Sequence, residues 1–179
     1  RKLHCLNNKE VDLCKIIADY KEKGEFRMSE IHYFQRYSQK ENVVTNNTLL
    51  LMKRLYLYSP IKFHSFLLEL MERTPGLDTR VKFEQQTQSQ SSVPDGVISQ
   101  NSFRIIIETK LHNQANVNQL QNHLNAFGNE DVQVLLFLGT HNLNNATRQQ
   151  VVDCIDNYNR SRNSRVRFVE TTFEKIIQL

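Results

Sequence analysis

Only three cysteines occur in the 179 residues, Cys5, Cys14 and Cys154, and no two of them form a C-x-x-C pair. Neither a disulfide framework nor a thiolate metal site has the spacing it needs, so reduced, buried thiols and a cytoplasmic setting are expected. Long apolar runs are missing as well; none approaches the roughly 20 residues of a membrane span. The opening R-K-L-H-C-L-N-N lacks the apolar core of a secretory signal, and its first residue, Arg rather than Met, reads as a trimmed start. There are no internal repeats, and no second domain is evident. One compact domain over 41–179, preceded by a helical segment over 1–40, is the expected organisation.

What is present is ordinary for a soluble chain: 39% hydrophobic and 23% charged residues. A net charge of +4 and a pI near 9.0 suit a polyanionic partner.

Periodicity divides the chain. Asn8 followed by K-E-V-D-L-C-K-I-I-A-D-Y predicts a first helix, and Ser29 opens a second short helical piece. From Glu41, E-N-V-V-T-N-N-T-L-L-L-M-K-R-L-Y-L-Y predicts a helix up to Pro60, where Ser59-Pro60 starts the next. That one runs until Thr74-Pro75-Gly76. Strands are predicted over Val81–Thr87, at Val97-Ile98, over Phe103–Leu111, over Val132–Leu138 and over Val166–Val169. Helices fall between them, at about Gln114–Phe127 and Asn144–Tyr158, with a last one from Thr172. This order gives an α/β fold with a sheet of mixed direction.

Two stretches carry the chemistry. In the first, V-P-D-G-V-I, Pro94 can only begin a strand, which leaves Asp95 at its mouth. In the second, F-R-I-I-I-E-T-K-L, alternation puts Glu108 and Lys110 on one face and Ile107 and Thr109 on the other. An isolated carboxylate in an apolar sheet costs several kcal/mol, so these acids call for a cation.

Pro94-Asp95 followed by Glu108-Thr109-Lys110 resembles the signature of the PD-(D/E)xK nuclease superfamily. The resemblance covers about Glu41 to Val169. It implies a restriction-endonuclease-like core, a mixed central sheet flanked by helices, and Mg²⁺-dependent hydrolysis of DNA in bacterial defence, restriction or DNA processing. Asp95, Glu108 and the backbone carbonyl of Thr109 would ligate Mg²⁺, with Mn²⁺ as a substitute, and Lys110 would orient the attacking water or offset transition-state charge. E-N-x-x-T-x-N-x-L-L is similar to a helix of several bacterial members whose Glu completes the acidic cluster, which nominates Glu41 as catalytic and metal-binding, with Glu69 or Glu72 as substitutes. Gln119 and His123, four apart on one helix face, are similar to the Q-x-x-x-Y motif of the RecB-like branch, with His in place of Tyr. They would hold the substrate or the water.

Further contacts are weaker expectations. Gln86, in a polar loop with Gln88 and Gln90, is a candidate for substrate contact. Arg160, Arg162, Arg165 and Arg167 read equally as a phosphate site and as a solvated loop. DNA is the expected partner, a homodimer fits a double-strand cutter, and neither a membrane nor an organic cofactor is implied. A catalytically inactive binding or assembly module on the same fold, or an RNA nuclease, is the competing reading.

Overall fold

The computed structural model describes residues 40–71, 81–85, 93–112 and 115–179. Outside them lie all of the expected 1–40 segment except Lys40, together with Glu72 and the loop carrying Gln86.

Helix α1 (Lys40–Tyr58) and helix α2 (Pro60–Met71) come first. Proline at the first helical position brings a preset φ and lacks only an amide that would have no partner there. Strands β1 (Lys82–Gln85), β2 (Gly96–Gln100) and β3 (Phe103–Lys110) then form an antiparallel meander. Helix α3 (Val117–His123) carries the chain to β4 (Val132–Gly139), and helix α4 (Asn145–Arg162) carries it to β5 (Val166–Thr172). Helix α5 (Phe173–Gln178) follows. The five strands lie in chain order, with β3, β4 and β5 parallel. The mixed sheet flanked by helices is the α/β class expected.

Two successive parallel connections that move the same way across a sheet, both right-handed, place their helices on one face. Accordingly Leu120 and Leu124, with Val151 and Ile155 of α4, pack on the face that carries Ile106 and Leu135. The opposite face carries Ile105, Ile107 and Leu136, covered by Leu49 of α1, Phe63 and Leu67 of α2 and Ile176 of α5. Strand β3 is thus buried on both sides, which is why Ile105, Ile106 and Ile107 run without a polar break.

Gly96 controls how closely α1 approaches. A Cβ there would stand 2.8 Å from Leu49 Cδ1, so the bare glycine lets the helix settle against the start of β2.

Two helix boundaries differ from expectation. Asn116 caps α3, its side-chain oxygen accepting from the amides of Asn118 and Gln119 at 3.0 and 3.3 Å, and a 3-10 turn, Leu124–Ala126, replaces the last expected turn. Helix α4 continues one turn past Tyr158 and ends on Asn163 in the left-handed conformation (φ 49°). Apolar spacing stops at Tyr158, but Arg160 and Arg162 suit the negative end of a helix. Among the described residues no helix is long and apolar enough to cross a membrane.

Candidate functional site

The apolar register of β3 gives out where β2 does. Gly96 pairs with Ile107 at the end of that ladder, while β3 goes on beside β4, with Glu108 opposite Phe137 and Lys110 opposite Gly139. The last three residues of β3 therefore have β4 on one side and the chain entering β2 on the other. Asp95, immediately before β2, fills that open side.

The Thr109 amide and the Thr109 hydroxyl both donate to Asp95 Oδ2 at 2.8 Å. Among the described residues Oδ1 receives no hydrogen bond. In a strand, N–H and C=O of one residue point to the same side, so the Thr109 carbonyl also faces the Asp95 side.

Glu108 points to the α3 side and is 1% exposed. Its Oε2 lies 2.8 Å from His123 Nε2, and its Oε1 lies 2.8 Å from Lys110 Nζ. Apart from that ion pair, Oε1 has no hydrogen-bond partner. Lys110, the next residue on the same face, is drawn also toward Glu41 Oε2 at 3.9 Å. Glu41, on the first turn of α1, accepts the Leu111 amide on Oε1 at 3.2 Å. One amine is thus held between two acids from distant parts of the chain.

On the other face Thr109 meets Thr45 of α1, hydroxyl to hydroxyl, at 2.5 Å. Thr45 is also placed to donate to the Glu41 carbonyl at 2.9 Å. Two hydroxyl hydrogens thus face three acceptors, and when Thr45 donates to Thr109 a directed chain runs Thr45, Thr109, Asp95.

These neighbours move the titrations. Burial raises the Asp95 carboxyl above the usual aspartate value, the negative charge of Glu108 adds to the rise, and the two Thr109 bonds and the Lys110 charge only partly offset it. For Lys110 burial pulls downward, yet the bond and charge of Glu108, aided by the charges of Asp95 and Glu41, prevail and raise it.

Asp95, Glu108, Thr109, Lys110, Glu41 and His123 are therefore gathered at one end of β3. His123 reaches Glu108 from inside: it is 0% exposed, so its place is against the carboxylate rather than on a substrate-facing surface. Gln119, one turn earlier, is half-buried, and its side chain makes no hydrogen bond or ion pair among the described residues. Glu69 is exposed on α2 and takes no part. The arginines do not assemble. Arg160 bonds within its own helix, and Arg167 donates to the Met71 carbonyl at 2.7 Å, closing the end of α2. Thr45 had no role assigned from sequence; a polar residue on the same stripe as Leu49 was its available signal.

Asp95 and Glu108 are hard oxygen donors; among the described residues Asp95 Oδ1 receives no hydrogen bond, and Glu108 Oε1 is held by the Lys110 ammonium alone. Mg²⁺ binds through one or two carboxylates plus waters, so this pair with the Thr109 carbonyl fits Mg²⁺ or Mn²⁺. It does not form an all-protein cage: among the described residues no group of three or more His, Cys, Asp and Glu side chains could hold a metal ion. No family model, no curated protein and no solved structure matches the chain.

Proposed function

We propose that this protein is a Mg²⁺-dependent endonuclease hydrolysing DNA phosphodiester bonds, of the PD-(D/E)xK type its sequence resembles. The observation that carries the reading is the ending of β3, where Glu108, with an amine at 2.8 Å, and Asp95, bonded to the next residue, stand near enough for the charge of Glu108 to raise the Asp95 titration. Two acids within each other's field raise the cost of ionisation, and a divalent cation removes it. Such a cation, when bound, lowers the pKa of a water and offsets charge on the scissile phosphate.

The chain's own residues supply the rest. Asp95 would offer Oδ1 and Glu108 would offer Oε1, which the Lys110 ammonium now holds, with the Thr109 carbonyl beside them. Lys110 keeps its ammonium at the same opening, where it orients a water or stabilises the developing negative charge. Glu41 holds that ammonium from the other side, and it can enlarge a cation's shell only by letting the ammonium go. Gln119, half-buried and with no side-chain bond among the described residues, is the side chain on α3 proposed to meet substrate. The net charge of +4 draws a polyanion toward the surface. Restriction, phage defence and DNA processing in a bacterial cytoplasm are the settings such chemistry serves.

A second reading, a catalytically inactive nucleic-acid-binding module, draws support from the arrangement of the acids: among the described residues no group of three or more His, Cys, Asp and Glu side chains could hold a metal ion. One assay separates the readings. Plasmid, single-stranded DNA and RNA are each incubated with the protein in Mg²⁺ or in chelator. Mg²⁺-dependent loss of DNA is the expected result; loss of RNA alone makes it a ribonuclease, and loss of nothing leaves the binding module.

A further inference from the structure

We infer that His123 is a positioning residue that fixes which oxygen of Glu108 is presented to the cation. The inference rests on the nuclease reading above and deepens it. A carboxylate can turn about its last bond and offer either oxygen or both. Here it cannot turn freely, because Oε2 sits 2.8 Å from His123 Nε2 in a contact from which water is excluded, the ring being 0% and Glu108 1% exposed. Carboxylate oxygens only accept, so Nε2 carries the hydrogen of this contact. The bond occupies Oε2 and leaves Oε1 turned to the Lys110 side, where the ammonium lies 2.8 Å away. A cation would therefore meet Glu108 through Oε1, sharing it with the Lys110 ammonium or taking that ammonium's place.

The fold explains why the residue is His and why it lies here. Asn116 caps α3 and sets its start, and His123 is the last residue of α3, beside the buried Leu120 and Leu124. An imidazole presenting Nε2 reaches across to β3 without bringing water in.

The test uses Mn²⁺ alone, titrated into the full chain and followed by calorimetry and by the loss of free Mn²⁺ signal in electron paramagnetic resonance. Gln places its amide nitrogen close to where Nε2 stands, Asn places it short, and Leu has no donor. Wild type and His123→Gln are expected to bind alike within about threefold, and His123→Asn and His123→Leu about 10- to 100-fold more weakly, the usual cost of removing a hydrogen bond behind a ligand. If His123→Leu does not fold, the Gln and Asn pair decides. With DNA present, the weak variants are expected to lose kcat at saturating DNA while KM for DNA stays put. Equal Mn²⁺ affinity in all the variants overturns the inference while leaving the nuclease reading intact. Absence of Mn²⁺ binding by wild type overturns both.

Discussion

The two faces of β3 share a buried apolar centre and part company toward the strand's end. One carries Phe103, Ile105 and Ile107 under α1 and α2, and the other carries Ile106 under α3 and α4, with Arg104 before it donating to the Ala126 carbonyl. At the end, the α3 face carries ions, Glu108 between His123 and Lys110, whereas the α1 face carries hydroxyls, Thr109 against Thr45. Asp95 joins them: it is bonded to the hydroxyl face and feels the charge of the ionic one. Charge on the first face is suited to reacting groups, while neutral hydrogen bonds on the second can fix a carboxylate without neutralising it. On the proposed nuclease reading, chemistry falls to the ionic face and alignment to the hydroxyl face.

The sharpest way to break this division is at Lys110. Lys110→Ala should reduce DNA cleavage by about 10²–10³-fold or more, while DNA binding stays nearly unchanged, since one amine among many positive groups is lost. Plasmid nicking and a gel shift measure the two. The substitution also leaves Glu108 Oε1 buried without its cation, so the melting temperature should fall, and Lys110→Gln, a neutral donor, should recover melting without recovering cleavage. Equal turnover by either variant refutes the assignment of chemistry to this face.

Asp95→Asn sharpens the link between the faces, because it removes charge but keeps an oxygen for Thr109. Cleavage should fall about 10²-fold or more, as for the loss of a metal ligand. Stability should move the other way. A folded-state pKa raised above the unfolded value means that the native state binds the proton more tightly. Stability from Asp95 is therefore fully present below the unfolded pKa and is lost as pH rises through the folded one. The variant has no such loss, so its melting temperature should match wild type in acid and exceed it at neutral pH. Adding Mg²⁺ should close the gap by stabilising wild type alone. A variant less stable than wild type at pH 7 would contradict the raised titration.

Legibility followed the length scale of each interaction. The core of β3 was plain because three isoleucines in succession fit only a strand buried on both faces, and the alternation that set Glu108 beside Lys110 is a property of any strand. Pro94 marked the mouth of β2 for an equally local reason. The sequence places His123 on a helix as a substrate contact, because four-residue spacing pairs it with Gln119 and says nothing of how deep α3 sits. Depth comes from Leu120 and Leu124, which bury the helix against Ile106. Thr45 has no role legible from sequence since its partner is 64 positions away and meets it only through the packing of α1 on the sheet. Arg167 likewise bonds a carbonyl 96 positions back, which no spacing near the arginines could announce.

Thr45 gives the smallest effect and the finest test of the comparison. Its hydroxyl is the outermost member of the chain to Asp95, it is 1% exposed, and its loss leaves Thr109 with one partner fewer. Thr45→Val keeps the shape and removes the donor, so about 1 kcal/mol of stability should go, with about 1.5 as the upper end for one buried hydrogen bond. Thr45→Ser keeps the donor and loses a methyl group, so it should stay closer to wild type in cleavage than in stability. If hydroxyls serve only to align Asp95, cleavage by Thr45→Val should drop severalfold through kcat, with no change in the effect of Lys110→Ala combined with it beyond simple multiplication, because the shared neighbour Glu41 would then carry no coupling between them. A strongly non-multiplicative double variant would mean that Thr45 also acts through the Glu41 carbonyl and so on the amine, and the two faces would then be one network.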